Sequence, residues 1–134
     1  MNYLLDTDAC IDCLSEFEPT LEVIRSLSEA GHELCTCDVV IAEVFSGTSL
    51  AQHYATVKFM EGRHYLPTSR DSARMAGEWR YRFARRGVAL STTDVLIAAT
   101  ALAHDAVVVT GNVKDFPMSE IRLLELTRPS RRPR

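Results

Sequence analysis

Apolar positions along the chain fall into short runs parted by polar turns, and the stretch from residue 91 to 116 is the most regular of them. Val95, Leu96, Ile97, Ala98, Ala99, Ala101, Leu102 and Ala103 leave no wide polar face, which predicts a helix lying inside a layered domain. Thr93 is its expected N-cap, and Asp94 then stands in the first turn, where a negative charge suits the helix dipole. Val107, Val108 and Val109 form a β-branched run too continuous for a half-exposed strand, so they predict a central strand of a parallel sheet covered on both faces. Thr110, Asn112 and Asp115 follow at its carboxyl end, where open α/β sheets bind their ligands.

The remaining chain alternates in the same way. Asn2 to Leu5 reads as a strand ending at Asp6, Ala9 to Leu14 as a helix, and Pro19 as the start of a second helix that stops at Gly31. Leu34 to Cys37 is a second strand. Asp38 is a plausible N-cap for a turn of helix bearing Glu43, and a third helix is expected from Leu50 to Glu61. Tyr65 and Leu66 make a brief edge strand closed by Pro67. From Arg70 to Arg86 a helix shows an apolar face at Ala73, Ala76, Trp79 and Phe83 and a wet face at Arg74, Glu78, Arg82 and Arg85, with Arg74–Glu78 and Glu78–Arg82 as i,i+4 pairs. Ile121 to Leu126 is the last strand. This order predicts an α/β sandwich of about five parallel strands, organised as one domain over residues 1–127, with a basic, Pro-broken tail at 128–134 expected to be disordered.

Composition narrows the class. A chain of 134 residues with 46% apolar content can bury a core and is not a disordered protein. With no signal-peptide pattern and no membrane-spanning apolar run, the expected location is the cytoplasm, where Cys10, Cys13, Cys35 and Cys37 are thiols. A four-thiolate zinc site is the weaker reading of these cysteines, because no knuckle turn residues surround them; small buried hydrophobes is the better one. Charge is divided unevenly: residues 1–62 hold eleven acids against Arg25 and Lys58, a net −9, while residues 63–134 hold thirteen bases against seven acids, a net +6. A basic half beside clustered carboxylates suits an enzyme acting on a polyanion, with Arg82, Arg85 and Arg86 as candidate contacts to that polyanion.

Three acids stand where an unpaired charge would be costly: Asp6 at a strand end, Glu43 in the apolar Ile41-Ala42-Glu43-Val44, and Asp94 opening the apolar helix. One shared divalent cation would offset all three costs. Leu4-Leu5-Asp6-Thr7 after the first strand, the isolated Glu43, Asp94 before Leu96 to Leu102, and Thr110, Asn112, Asp115 and Phe116 after the fourth strand resemble, in this order, the PIN domain. That metal-dependent nuclease domain also forms the VapC toxins of toxin–antitoxin pairs, and the resemblance covers nearly the whole chain. It implies the sheet order 3-2-1-4-5, which brings Asp6 beside the Thr110 loop. It further implies a Mg²⁺- or Mn²⁺-dependent endoribonuclease in which metal-activated water cuts RNA to leave 5′-phosphate and 3′-hydroxyl ends. Asp6, Glu43, Asp94 and Asp115 are the expected catalytic metal ligands, with Asn112 the alternative fourth position; Thr7, Asp8, Thr110 and Asn112 support them. A homodimer silenced by a small VapB-like antitoxin is the expected assembly.

Two rival readings share part of the signal. Asp6-Thr7-Asp8 after an apolar strand also resembles the nucleophile motif of haloacid-dehalogenase-like phosphatases, with Asp6 phosphorylated and Asp8 as general acid, but this leaves Glu43 and Asp94 without a role. A non-catalytic PIN-like scaffold that binds RNA or protein would be marked by loss of a core acid, and all three are present.

Overall fold

A computed structural model describes residues 1–127. Five strands, β1 (Asn2–Leu5), β2 (Glu33–Cys37), β3 (His64–Leu66), β4 (Val107–Thr110) and β5 (Arg122–Glu125), pair in parallel in the order β3-β2-β1-β4-β5. Six helices connect or flank them: α1 (Thr7–Leu14), α2 (Glu18–Glu29), α3 (Asp38–Ser46), α4 (His53–Glu61), α5 (Arg70–Arg85) and α6 (Thr92–Ala103). The sheet order is the expected one. In β4 every residue is buried, in keeping with a central strand covered on both faces. Register pairs Leu5 of β1 with Val109 of β4, so the residues that follow both strands leave the sheet side by side.

The core gathers where the pattern placed it, around Leu4, Leu5, Val108, Val109, Ile97, Ala98 and Trp79. Among the described residues no helix is long and apolar enough to cross a membrane. Four local details differ from the reading of the sequence. Ser91, not Thr93, caps α6, its hydroxyl accepting from the Asp94 N–H at 3.1 Å. Asp38 is the first residue of α3 rather than its cap, and its carboxylate instead accepts from the Thr68 N–H and the Tyr65 hydroxyl, tying α3 to the edge strand β3. The helix expected from Leu50 starts as a 3-10 turn over Leu50–Gln52 before α4. On α5, Ser72 is buried in place of Ala73, and Arg82 pairs with Glu120 at 3.4 Å instead of Glu78. The Arg74–Glu78 contact is present at 3.9 Å. The tail at 128–134 lies outside the described residues.

Candidate active site

Four elements bring the acids together. Asp6 ends β1, is 5% exposed, and caps α1 by accepting from the Ala9 N–H at 2.8 Å; its own N–H donates to the Val109 carbonyl, which fastens it to β4. Glu43 projects from α3, where the Thr7 hydroxyl donates to its Oε1 at 2.6 Å. Asp94 occupies the first turn of α6. Asp115 closes a 3-10 turn, Val113–Asp115, just beyond β4. Together with Asp8 these carboxylates line one cavity of about 190 Å³, with Ile97 and Phe116 as its apolar walls. Thr7 and Asn112 line it as well.

The supporting residues are placed more specifically than the sequence suggested. Asn112 donates its Nδ2 to Asp8 Oδ2 at 2.9 Å, and the Thr110 hydroxyl accepts from the Asn112 N–H at 2.9 Å. Asn112, expected as a supporting residue or the alternative fourth ligand, is bonded to Asp8. Thr110, fully buried, acts from behind the loop rather than from within the cavity.

Electrostatics of the cavity are dominated by one sign. Burial, partly countered by the hydrogen bond to Ser91, and then the Asp115, Glu43 and Asp8 carboxylates raise the pKa of Asp94 above its ordinary value. Among the described residues no basic side chain lines the cavity. As the side chains stand, no three His, Cys, Asp or Glu among the described residues are gathered as ligands of a single ion. The Asp115, Glu43 and Asp8 carboxylates act on Asp94 as like charges in one small space, and a divalent cation would relieve that repulsion. Every charged lining group is a hard oxygen donor, a set that suits Mg²⁺ or Mn²⁺ and not a soft-ligand metal.

The candidate RNA contacts lie outside the cavity. Arg85 and Arg86, at the end of α5, stack over Tyr81 and Phe83 at 5.4 and 4.5 Å from the ring centroids. The cysteines behave as buried hydrophobes: burial pushes the Cys13 and Cys35 thiols up to about 11, and Cys10 well above its ordinary value. Sequence reasoning missed three contributors. Ser91 stands three residues before Asp94, the spacing of a capping box, which would have singled it out. Arg80 and Glu120 carried no such signal, since their contacts reach across 10 and 41 residues.

Comparison with known proteins gives a consistent picture. The family model described as PIN domain matches residues 3–117. Ribonuclease VapC19 of Mycobacterium tuberculosis is 32% identical over 117 residues, covering 86% of this chain and 92% of the relative. Ribonuclease VapC2 of Rickettsia felis is 25% identical over 130 residues, covering 93% and 97%. Among solved structures, DNA-bound VapBC from Salmonella typhimurium superposes with a TM-score of 0.79 at 26% identity, covering 95% of this chain and 99% of that one.

Proposed function

Because this chain belongs to the PIN domain family, we propose that it is a divalent-metal-dependent endoribonuclease of the VapC kind, acting as the toxin of a toxin–antitoxin pair. The observation that carries this reading is the convergence of Asp6, Glu43, Asp94 and Asp115 on one cavity at the carboxyl edge of β1 and β4. Those four carboxylates would hold Mg²⁺ or Mn²⁺. When bound, such a cation supplies charge relief to the phosphodiester and lowers the pKa of water.

The chain's own residues then orient and exclude. Thr7 fixes Glu43 through its hydroxyl, and the Ala9 N–H fixes one oxygen of Asp6. Asn112 holds Asp8 at the cavity wall, while Ile97 and Phe116 keep part of that wall dry. Among the described residues no base lines the cavity, and Arg85 and Arg86 outside it are the proposed RNA contacts, with Arg82 sharing its charge with Glu120. Residues 1–127 form the catalytic domain in this reading, and the arginines after Thr127 add weak attraction for RNA. A small antitoxin of the VapB kind is the proposed inhibitor, and a homodimer the proposed assembly, in the cytoplasm. The relatives that support the ribonuclease reading are named ribonucleases VapC19 and VapC2.

The test is direct. Purified protein should cut RNA with Mg²⁺ or Mn²⁺, stop in chelator, and resume when Mn²⁺ is restored. Undiminished cutting in chelator would falsify the metal reading.

A further inference from the structure

Two adjacent residues of α5 reach two different loops. Arg80 Nε donates to the Leu90 carbonyl at 2.8 Å, in the turn immediately before Ser91, the cap of α6. Trp79 Nε1 donates to Glu120 Oε2 at 3.0 Å, and Glu120 lies in the segment that carries Asp115 from β4 to β5. Arg82 pairs with the same Glu120 oxygen. Each loop is also seated in the core near its contact: Leu90 is 6% exposed, and Phe116 and Met118 are 3% exposed. Trp79, at 1% exposure, anchors the Glu120 contact in the core.

We propose that Trp79 and Arg80 are positioning residues that set the separation of Asp94 and Asp115, with α5 as the strut between the segment that leads into the Asp94 turn of α6 and the loop that carries Asp115. This rests on the reading of both acids as metal ligands given above. The physical need is plain from the cavity: Asp94 and Asp115 face each other among further carboxylates, and like charges drive their loops apart. A restraint on each loop from one rigid helix opposes that spreading before any cation arrives. Neither Trp79 nor Arg80 lines the acidic cavity, so their influence must pass through the Leu90 carbonyl and Glu120. Preorganisation of this kind appears in metal affinity, where losing an outer contact typically costs roughly 10- to 100-fold.

Calorimetric titration with Mn²⁺ alone tests the proposal without depending on RNA cleavage. Arg80→Ala and Glu120→Ala should each weaken Mn²⁺ binding by roughly tenfold, while in Arg80→Ala the RNA KM and its salt dependence stay at the parental values. Arg80→Lys, which keeps a donor for the carbonyl, should recover most of the affinity. Glu120→Gln, which keeps an acceptor for the indole, should stay close to the parent although it loses the ion pair with Arg82. Glu120 is 43% exposed, so its variants leave no buried cavity and should fold. Trp79 is the single tryptophan of the chain, so its emission should respond to Mn²⁺ in the parent and less so in Glu120→Ala. Unchanged Mn²⁺ affinity in both alanine variants would overturn the proposal, and a flattened salt slope with unchanged affinity would make Arg80 a phosphate contact instead. The nuclease reading fails separately, if the parent binds Mn²⁺ yet leaves RNA intact. A parent that binds no Mn²⁺ overturns both.

Discussion

At Asp94, burial and the nearby Asp115, Glu43 and Asp8 carboxylates hold the pKa above the ordinary value, so the ionised side chain weakens the metal-free fold. A carboxyl whose pKa is raised on folding binds protons more readily in the native state; its penalty is absent below the unfolded pKa and complete above the raised one. Asp94→Asn should therefore abolish RNA cleavage while raising the melting temperature in chelator at pH 7, and the gain should vanish when the comparison is made at a pH below the ordinary carboxylate range. A lower melting temperature for Asp94→Asn in chelator would count against this account. Asp8 is a different case: it accepts from Asn112 Nδ2, and an asparagine keeps an acceptor oxygen for that bond. Asp8→Asn should keep cleavage within roughly tenfold of the parent, whereas a phosphatase using Asp8 as general acid would be inactive; a phospho-aspartate trapped at Asp6 would decide for the phosphatase. Asp6, Glu43 and Asp94 were legible because a carboxylate among apolar neighbours stands out in the sequence. The Asp8–Asn112 bond was not, since 104 residues separate the partners and only the pairing of β1 with β4 joins them.

Among the elements, α5 shows why periodicity can name a face and misplace one of its members. Its buried residues are Ser72, Ala76, Trp79 and Phe83, spaced four, three and four apart, yet the sequence suggests Ala73 because alanine is apolar and serine is not. Ser72 is tolerated in the interior because its backbone N–H and hydroxyl are met by Ser69 Oγ, at 3.0 and 3.1 Å, in the first turn of the helix. The last turn carries the second lesson. Arg82, Arg85 and Arg86 look equivalent as letters, but Arg82 is matched by Glu120 while Arg85 and Arg86 stack on aromatic rings. If α5 holds RNA, the joint change Arg85→Ala and Arg86→Ala should lower affinity and flatten the salt slope by roughly one to two units, with a smaller effect for Arg82→Ala. Binding measured across a salt series with cleavage-dead Asp6→Asn protein checks this, and an unchanged slope in the double variant would return both arginines to the solvated face of the helix.

Across the whole molecule, the acidic half supplies Asp6 and Glu43 and the basic half supplies Asp94 and Asp115, so the cavity exists only where β1 pairs with β4. That pairing was readable because a fully apolar Val107–Val109 run fits a central strand and the order of motifs resembled a known domain. The contacts that brace the site from α5 were unreadable because they join side chains to loops through the tertiary fold alone. One consequence of a site formed by distant segments is that occupancy should stabilise the fold as a unit. Cys10, Cys35 and Cys37 are buried, and Cys10 lies close enough to Asp6 for that carboxylate to raise its pKa further, after burial and Cys13. These thiols are protonated and shielded, so a thiol reagent should reach them only through opening of the chain. Mn²⁺ at one hundred times its dissociation constant stabilises the native state by about 2.7 kcal/mol, which would slow labelling by about 100-fold if opening is global. Asp6→Asn should label at nearly the same rate with and without Mn²⁺. Fast labelling of Cys10 in Mn²⁺-saturated parent protein would show instead that α1 opens independently of the carboxylate cavity that Asp6, its capping residue, helps to form.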